Sequence, residues 1–200
     1  MHSVKKLKSF IIRKLTEELS EDLSYHGVHH TIHVLEVCDQ YIRRYGLRGR
    51  EAFLIRTAAL MHDVGIATTY SNHEEASVRF ARDFLPTWGY SKSDLKKVED
   101  MIMATRIPQN PTNLPAMILC DADLDYLGTS QFFSIGNTLF KELQACGVVR
   151  NEEEWDRLQV RFLKNHQFHT PFAQKNREPV KRKYLGMILD KWRWSISEFD

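Results

Sequence analysis

Apolar side chains recur at steps of three and four residues along most of this chain. The first such stripe comprises Val4, Leu7, Ile11, Leu15 and Leu19. This spacing places apolar side chains along one face of an α-helix. No segment alternates apolar and polar residues with a period of two for long enough to predict a β-strand. We therefore expect an all-α fold.

Start and stop signals of helices divide the chain into nine predicted helices. They cover residues 4–19, 31–46, 50–64, 72–85, 93–105, 114–127, 131–146, 152–164 and 171–192. In the fourth helix, Asn72 as the N-cap residue and Glu75 three residues later predict a capping box, and Pro86 ends the helix. Because no repeat or low-complexity linker interrupts the pattern, we expect a single domain over residues 1–200.

Composition excludes several classes of protein. The 200 residues include 28 basic and 26 acidic side chains, a balance that makes no case for a polyanion binder. No apolar run is long enough to span a membrane, and the N-terminus lacks the pattern of a signal peptide. Three widely spaced cysteines, Cys38, Cys120 and Cys146, form no CxxC zinc or redox pair and suit a reducing compartment. We expect a cytoplasmic protein without a membrane partner.

The pair His62 and Asp63 ends the third predicted helix in an otherwise apolar stretch. A lone histidine on an apolar face is usually a buried ring with one hydrogen-bond partner, but here a carboxylate stands beside it. The helix dipole disfavours negative charge at a C-terminus, and burying a carboxylate without a cation costs several kcal/mol. A bound divalent metal ion would offset both penalties.

A second acidic group lies in the segment "ILCDADLDYLG", where Asp121, Asp123 and Asp125 fall among apolar residues. Like charges this close oppose helix formation unless a cation compensates them. One or two of the carboxylates would face water, and at least one would face inward. Imidazole and carboxylate ligands suit divalent Mn, Fe, Co, Ni or Zn, with Mg as a further candidate.

The segment "YHGVHHTIHV", residues 25–34, contains four of the nine histidines. If it is helical, His26 precedes His30 by one turn, so both rings could face one pocket. His29 and His33 have no clear role in such a pocket. A surface, capping or supporting role is open for each of them.

A histidine, then an adjacent His-Asp pair, then a distant aspartate in an all-helical chain resembles the HD superfamily of metal-dependent phosphohydrolases. The resemblance covers residues 25–128, flanked by helical additions at both ends. "YHGVHHTIHV" is also similar to the YHNxxHAxDV helix start of cyclic-nucleotide phosphodiesterases, which belong to that superfamily. Gly27 stands where that motif has asparagine, which weakens the transfer of cyclic-nucleotide specificity.

The resemblance implies a set of metal ligands and a proton donor. The ligands would be His30, His62, Asp63 and the last aspartate of the motif. We prefer Asp123 to Asp121 for that last ligand, because in the superfamily this aspartate commonly follows a small residue. Within the same scheme Asp63 is also part of the catalytic group, and His26 donates a proton to the leaving group.

Further residues are predicted to contact the substrate. His73, at the start of the fourth helix, would bind substrate phosphate or a second metal ion. Arg106 leads the proline-rich loop of residues 106–115 and is our preferred phosphate ligand over Arg56, Lys96 and Arg177. His166 begins the segment "HQFHTPFAQKNR", which could meet phosphate oxygens or simply form a polar loop that caps the last helix.

The function implied by the resemblance is hydrolysis of a phosphoester or phosphoanhydride, in a nucleotide or cyclic nucleotide, by a metal-activated water with a histidine general acid. The alternative is an HD module that binds metal and nucleotide without turnover. Nucleic-acid binding through the aromatic tail of residues 181–194 is disfavoured. Its Tyr184, Met187, Ile188 and Trp192 have the spacing of a core-facing helix.

Overall fold

A computed structural model describes residues 3–20 and 22–199, and its regular structure is helical. No strand occurs in those residues, which confirms the all-α prediction. The α-helices are α1 (Val4–Glu18), α2 (Val28–Arg44), α3 (Gly49–Met61), α4 (His73–Phe84), α5 (Lys92–Ala104), α6 (Leu114–Asp123), α7 (Phe132–Ala145), α8 (Glu152–Asn165), α9 (Pro171–Asn176) and α10 (Glu178–Trp192). Short 3-10 turns cover Val64–Ala67, Leu85–Trp88, Asp125–Gly128 and Ile196–Phe199. None of the described helices is long and apolar enough to cross a bilayer.

The chain divides into two compact units, Met1–Asp123 and Leu124–Asp200. Helix α3 is the centre of the first unit, where it packs against α1, α2, α5 and α6. Its last turn is apolar all round, and Ala58 to Met61 are 0% exposed. A helix with no polar face is stable only when it is surrounded. The residues that follow α3 therefore emerge in the interior of the unit.

The start of α4 differs from the prediction. Asn72 has a left-handed backbone (φ 55°), and its side chain makes no capping hydrogen bond, so the predicted capping box is wrong. The side chains of Asn72 and Glu75 instead accept hydrogen bonds from the guanidinium of Arg106. A charge-assisted hydrogen bond is stronger than the neutral cap that it replaces. A capping box occurs at α5, between Ser91 and Asp94.

In the second unit, α8 and α9 pack against α10. The prediction of a single helix over residues 171–192 is wrong, because the helix is interrupted at Arg177, between α9 and α10. Pro179 lies in the first turn of α10, where the missing N–H of proline is tolerated. In the middle of a continuous helix the same residue would remove a backbone hydrogen bond. Arg177 also donates to Asp125 at 2.8 Å, and its backbone lies so close to Gly128 that a Cβ there would be 2.6 Å from the Arg177 Cα.

The aromatic tail packs within the second unit. Tyr184 stacks on Phe132 with ring centroids 4.5 Å apart, and Ile188 is buried. Trp192 Nε1 donates to Asp156 at 2.7 Å. Met187 is exposed, so the predicted core-facing stripe is correct in part. These contacts favour packing over base stacking for the tail.

Candidate metal centre

Four side chains of the first unit converge on one point. His30 comes from the first turn of α2, His62 and Asp63 directly follow α3, and Asp123 ends α6. Each offers one ligand atom, and these atoms lie within 4.8 Å of one another. They meet because α2, α3 and α6 pack against one another in pairs.

The distances among the ligand atoms suit a single ion. His30 Nε2 lies 3.1 Å from Asp123 Oδ1 and 3.2 Å from Asp63 Oδ2. His62 Nε2 lies 3.4 Å and 3.2 Å from the same two oxygens, and 3.2 Å from His30 Nε2. Metal–ligand bonds of about 2.1 Å place neighbouring ligands about 3.0 Å apart at right angles. The donor set therefore fits one divalent transition-metal ion.

The orientation of the His62 ring is determined by the helix that precedes it. Its Nδ1 lies 2.9 Å from the Ala59 carbonyl oxygen. Because a carbonyl can only accept, Nδ1 carries the proton, and Nε2 is directed at the carboxylates. Metal-binding histidines commonly have this arrangement, with one ring nitrogen held by a carbonyl and the other free to bind. His62 is fully buried.

The electrostatics of the cluster favour added positive charge. Burial lowers the pKa of His30 and His62, but the carboxylates of Asp63 and Asp123 outweigh it and raise the pKa of both rings. Burial conversely raises the pKa of Asp63, yet the neighbouring histidines hold it well below its usual value. Burial also raises the pKa of Asp123, but His30 and His62 together have the larger effect and lower it to about 2. Protons or a metal ion can supply that charge, so the two compete for the site.

The aspartate-rich segment contributes Asp123 to the cluster, and Asp121 is not among the clustered residues that the structure describes. Asp121 is fully buried elsewhere in the first unit. Asp125 belongs to the second unit, where it pairs with Arg177. Of the two alternatives for the last ligand, the geometry favours Asp123.

His26 lies beside the cluster without belonging to its four ligand atoms. Its ring centroid is 6.0 Å from that of His30, 5.5 Å from that of His73 and 5.8 Å from that of Tyr70. The side chain is half-buried. This placement suits a group that meets a substrate bound at the cluster.

His73 approaches the cluster from the first turn of α4. Its Nδ1 donates to the Tyr70 carbonyl at 3.1 Å, while Nε2 lies 3.4 Å from Asp63 Oδ1 and 3.6 Å from Glu74 Oε1. Burial lowers the pKa of His73, but the carboxylates of Asp63 and Glu74 together have the larger effect and raise this pKa to about 9. The sequence analysis assigned no role to Glu74. Its position directly after His73 was the available indication that it lies near the cluster.

Gly65 allows α4 to come this close. A Cβ at Gly65 would lie 2.3 Å from the His73 carbonyl oxygen and 2.4 Å from Ser77 N. The Gly65 amide donates to Ser77 Oγ at 2.8 Å. In the sequence, Gly65 directly follows the third predicted helix and indicates only where that helix ends. Its position two residues after Asp63 was the available signal for a close approach.

The remaining predicted phosphate ligands lie in ion pairs or packed interiors. Arg106 hydrogen-bonds to Glu75 and Asn72, which flank the His73–Glu74 pair. Arg56 pairs with Asp39, Lys96 with Asp100, and Arg177 with Asp125. His166 belongs to the second unit, where its Nδ1 lies 3.3 Å from Lys181 Nζ and its ring packs against Phe162 and Phe168.

Comparison with known proteins agrees with this geometry. Residues 27–125 match the model of the HD domain family. The fold is similar to the crystal structure of a predicted HD superfamily hydrolase from an uncultured Thermotogales bacterium, with a TM-score of 0.60, 23% sequence identity and coverage of 92% of each chain. No curated protein shows a significant match.

The matched segment contains His30, the His62–Asp63 pair and Asp123, the four residues that converge in space. The resemblance to the HD superfamily noted from the sequence is confirmed by the family match. Residues 27–125 therefore belong to the HD domain family.

Proposed function

We propose that this chain is a metal-dependent phosphohydrolase that cleaves a phosphoester or phosphoanhydride bond of a nucleotide or cyclic nucleotide. The observation that carries the proposal is the buried cluster of two imidazoles and two carboxylates, with ligand atoms spaced as neighbours around one ion. His30, His62, Asp63 and Asp123 would hold Mn, Fe, Co, Ni, Zn or Mg. When bound, such an ion supplies Lewis acidity toward a phosphoryl oxygen and makes water more acidic.

The residues around the cluster have separate tasks in this proposal. His26, next to His30 but outside the ligand set, gives a proton to the leaving oxygen. Asp63 presents Oδ2 to the two ligand histidines and Oδ1 to His73. In this proposal Asp63 therefore has two roles, because it binds the metal ion and also orients the His73 ring.

His73 has two candidate roles. As an imidazolium it would bind a phosphate oxygen of the substrate. With Nδ1 held by the Tyr70 carbonyl and Nε2 facing Asp63 and Glu74, the same ring would suit a second metal ion. Counting the ions bound by the wild type and by His73→Ala separates these roles, because only a ligand role predicts a loss of one of two ions.

Elemental analysis of the purified protein, paired with hydrolysis assays, tests the proposal. We expect about one ion per chain at the four-ligand cluster, and Mn-dependent hydrolysis of an aryl phosphodiester or of a member of a nucleotide panel. His62→Ala should lose both the ion and the activity. His29→Ala is a matched control, since His29 is an exposed histidine of the same segment as His30.

Two results would contradict the proposal in different ways. A wild-type protein that cannot be loaded with metal would exclude the metal centre. A metal-loaded protein that binds nucleotides but hydrolyses neither substrate class would identify a regulatory binding module instead.

A further inference from the structure

Arg106 is attached to the helical turn that approaches the metal centre. Its guanidinium donates through Nη1 to Glu75 Oε1 and through Nη2 to Asn72 Oδ1, the latter at 3.3 Å. These two residues flank the His73–Glu74 pair, and His73 Nε2 lies 3.4 Å from Asp63 Oδ1. Arg106 is therefore linked through one turn of α4 to the cluster, without contacting its ligands.

Arg106 retains unused hydrogen-bonding capacity. A guanidinium has five N–H donors, and two of those of Arg106 have partners among the described residues. The side chain is 49% exposed. By contrast, Arg82 places two donors on the two oxygens of one carboxylate, Glu99, in a closed two-pronged pair. Arg106 is held at its Nη atoms by two separate acceptors, so its remaining donors can meet a ligand.

The local backbone supports a positioning role for this contact. Asn72 has φ 55° and ψ 39°, and its side chain serves Arg106 rather than the amides of its own helix. Glu75 likewise directs one oxygen to Arg106, and its Oε2 is buried without a hydrogen-bond partner in the described residues. Two side chains of the first turn of α4 therefore hold one guanidinium. Held in this way, the fixed fork of arginine is preorganised for the tetrahedral oxygens of a phosphate.

The position of Arg106 distinguishes it from the groups that would meet the reacting phosphate. His26 and His73 lie against the cluster itself, whereas the described hydrogen bonds of Arg106 are to Asn72 and Glu75, on either side of the His73–Glu74 pair in the sequence. We propose that Arg106 binds a second phosphate group of the substrate, so that the site takes nucleotides with at least two phosphates rather than cyclic nucleotides. This inference rests on the proposed function and narrows its substrate class.

Binding of inorganic pyrophosphate and inorganic phosphate tests the inference without requiring turnover. The probe is calorimetry on Mn-loaded protein dialysed free of excess ion. We expect the wild type to bind pyrophosphate at least tenfold more tightly than phosphate, and Arg106→Ala to lose about tenfold in affinity for pyrophosphate. Arg106→Lys should recover part of the loss, because the charge remains while the fork is lost. Arg82→Ala, an exposed arginine of the same unit, should behave as the wild type.

Steady-state kinetics supply the second arm. With a nucleoside diphosphate as substrate, we expect Arg106→Ala to raise KM about tenfold with little change in kcat. With the matching monophosphate, the same variant should leave KM unchanged. Unchanged pyrophosphate affinity in Arg106→Ala, or an equal loss in Arg82→Ala, would overturn the inference. A preference for cyclic nucleotides that is insensitive to Arg106→Ala would overturn it too. Failure of the proposed function is seen separately, as retention of metal or activity in His62→Ala.

Discussion

At the scale of single residues, the candidate centre depends on which atom of each ring or carboxylate is presented. His62 has one nitrogen occupied by the Ala59 carbonyl, so the other must face the carboxylates. Asp63 directs its Oδ2 to His30 and His62 and its Oδ1 to His73. His26 and His30, four residues apart, lie next to each other, and His30 is the one that belongs to the cluster with Asp63 and Asp123. Neighbouring histidines can therefore have different functions.

Replacement of each of these two histidines should separate metal binding from turnover. We expect His30→Ala to lose the metal ion, because it removes one of four ligands. His26→Ala should retain the ion and reduce kcat by about 10²–10⁴-fold, the usual contribution of a general acid. Metal content by elemental analysis and kcat on the same samples measure both effects. Loss of metal in His26→Ala would contradict the assigned roles.

At the scale of helices, the approach of α4 to the turn after α3 brings His73 to Asp63. The contact is backbone against backbone at Gly65, so no flexible side chain can move aside to make room. The Ser77 hydroxyl fixes the same contact through the Gly65 amide. The function proposed for His73 therefore depends on a residue that has no side chain.

Gly65→Ala should force α4 away from this turn. We expect the free energy of unfolding to fall by about 1–3 kcal/mol, as for other overpacked sites, and hydrolysis to fall with it. Gly186→Ala in α10 is the matched control, because nothing lies within 4 Å of its Cβ position. It should be neutral or stabilising by up to about 1 kcal/mol. Urea unfolding of both variants provides the comparison, and equal stability of the two would disprove the close contact.

The start of α5 provides a pH-dependent contribution to stability. Hydrogen bonds from the Arg50 guanidinium, together with those from Ser91, hold the pKa of Asp94 well below its usual value. A lowered pKa in the folded state stabilises the fold above the unfolded pKa of about 3.9, and this stabilisation is lost as pH falls through the folded pKa. Asp94→Asn should therefore lower the free energy of unfolding by about 1–2 kcal/mol at pH 7.

In strong acid, the free energy of unfolding of Asp94→Asn should differ less from that of the wild type than it does at pH 7. Urea unfolding at pH 7, 5 and 3 measures the change. A difference that grows as the pH falls would show that the Asp94 interactions have the opposite sign.

At the scale of the whole molecule, the candidate metal ligands of the first unit come from three places far apart in the sequence. An ion held by residues 30, 62, 63 and 123 would link α2, the end of α3 and α6. A ligand that binds the folded state alone stabilises it by an amount set by its concentration and affinity, about 2.7 kcal/mol at one hundred times Kd. Metal binding should consequently contribute to the stability of the fold.

Removal of metal with a chelator should lower the Tm of the wild type, and addition of Mn should restore it. His30→Ala should show little response to either treatment, because its binding site is incomplete. Thermal unfolding followed by circular dichroism tests this. An equal response in the two proteins would indicate that the stabilising metal is bound elsewhere.

Most helices could be predicted from the sequence because apolar periodicity is a local property. The His62–Asp63 pair could be singled out for a similar reason, since a charged pair inside an apolar stretch signals a buried cation site from adjacent residues alone. The capping box at Asn72 was predicted wrongly because Arg106, the partner that takes both side chains, is more than thirty residues away. The roles of Glu74 and Gly65 were missed because they arise from the contact of α4 with the turn after α3.

By itself, the sequence determined the helical class, the buried His62–Asp63 pair and the set of histidines and aspartates from which a metal centre could be built. Only the tertiary structure shows that Asp123 lies in one cluster with His30, His62 and Asp63. It also shows that His73 reaches Asp63, and that Arg106 contacts Asn72 and Glu75. The physical reason is one of range. Helix formation and burial patterns follow from neighbours three or four residues apart, whereas the position of a side chain in a site depends on how helices distant in the sequence pack.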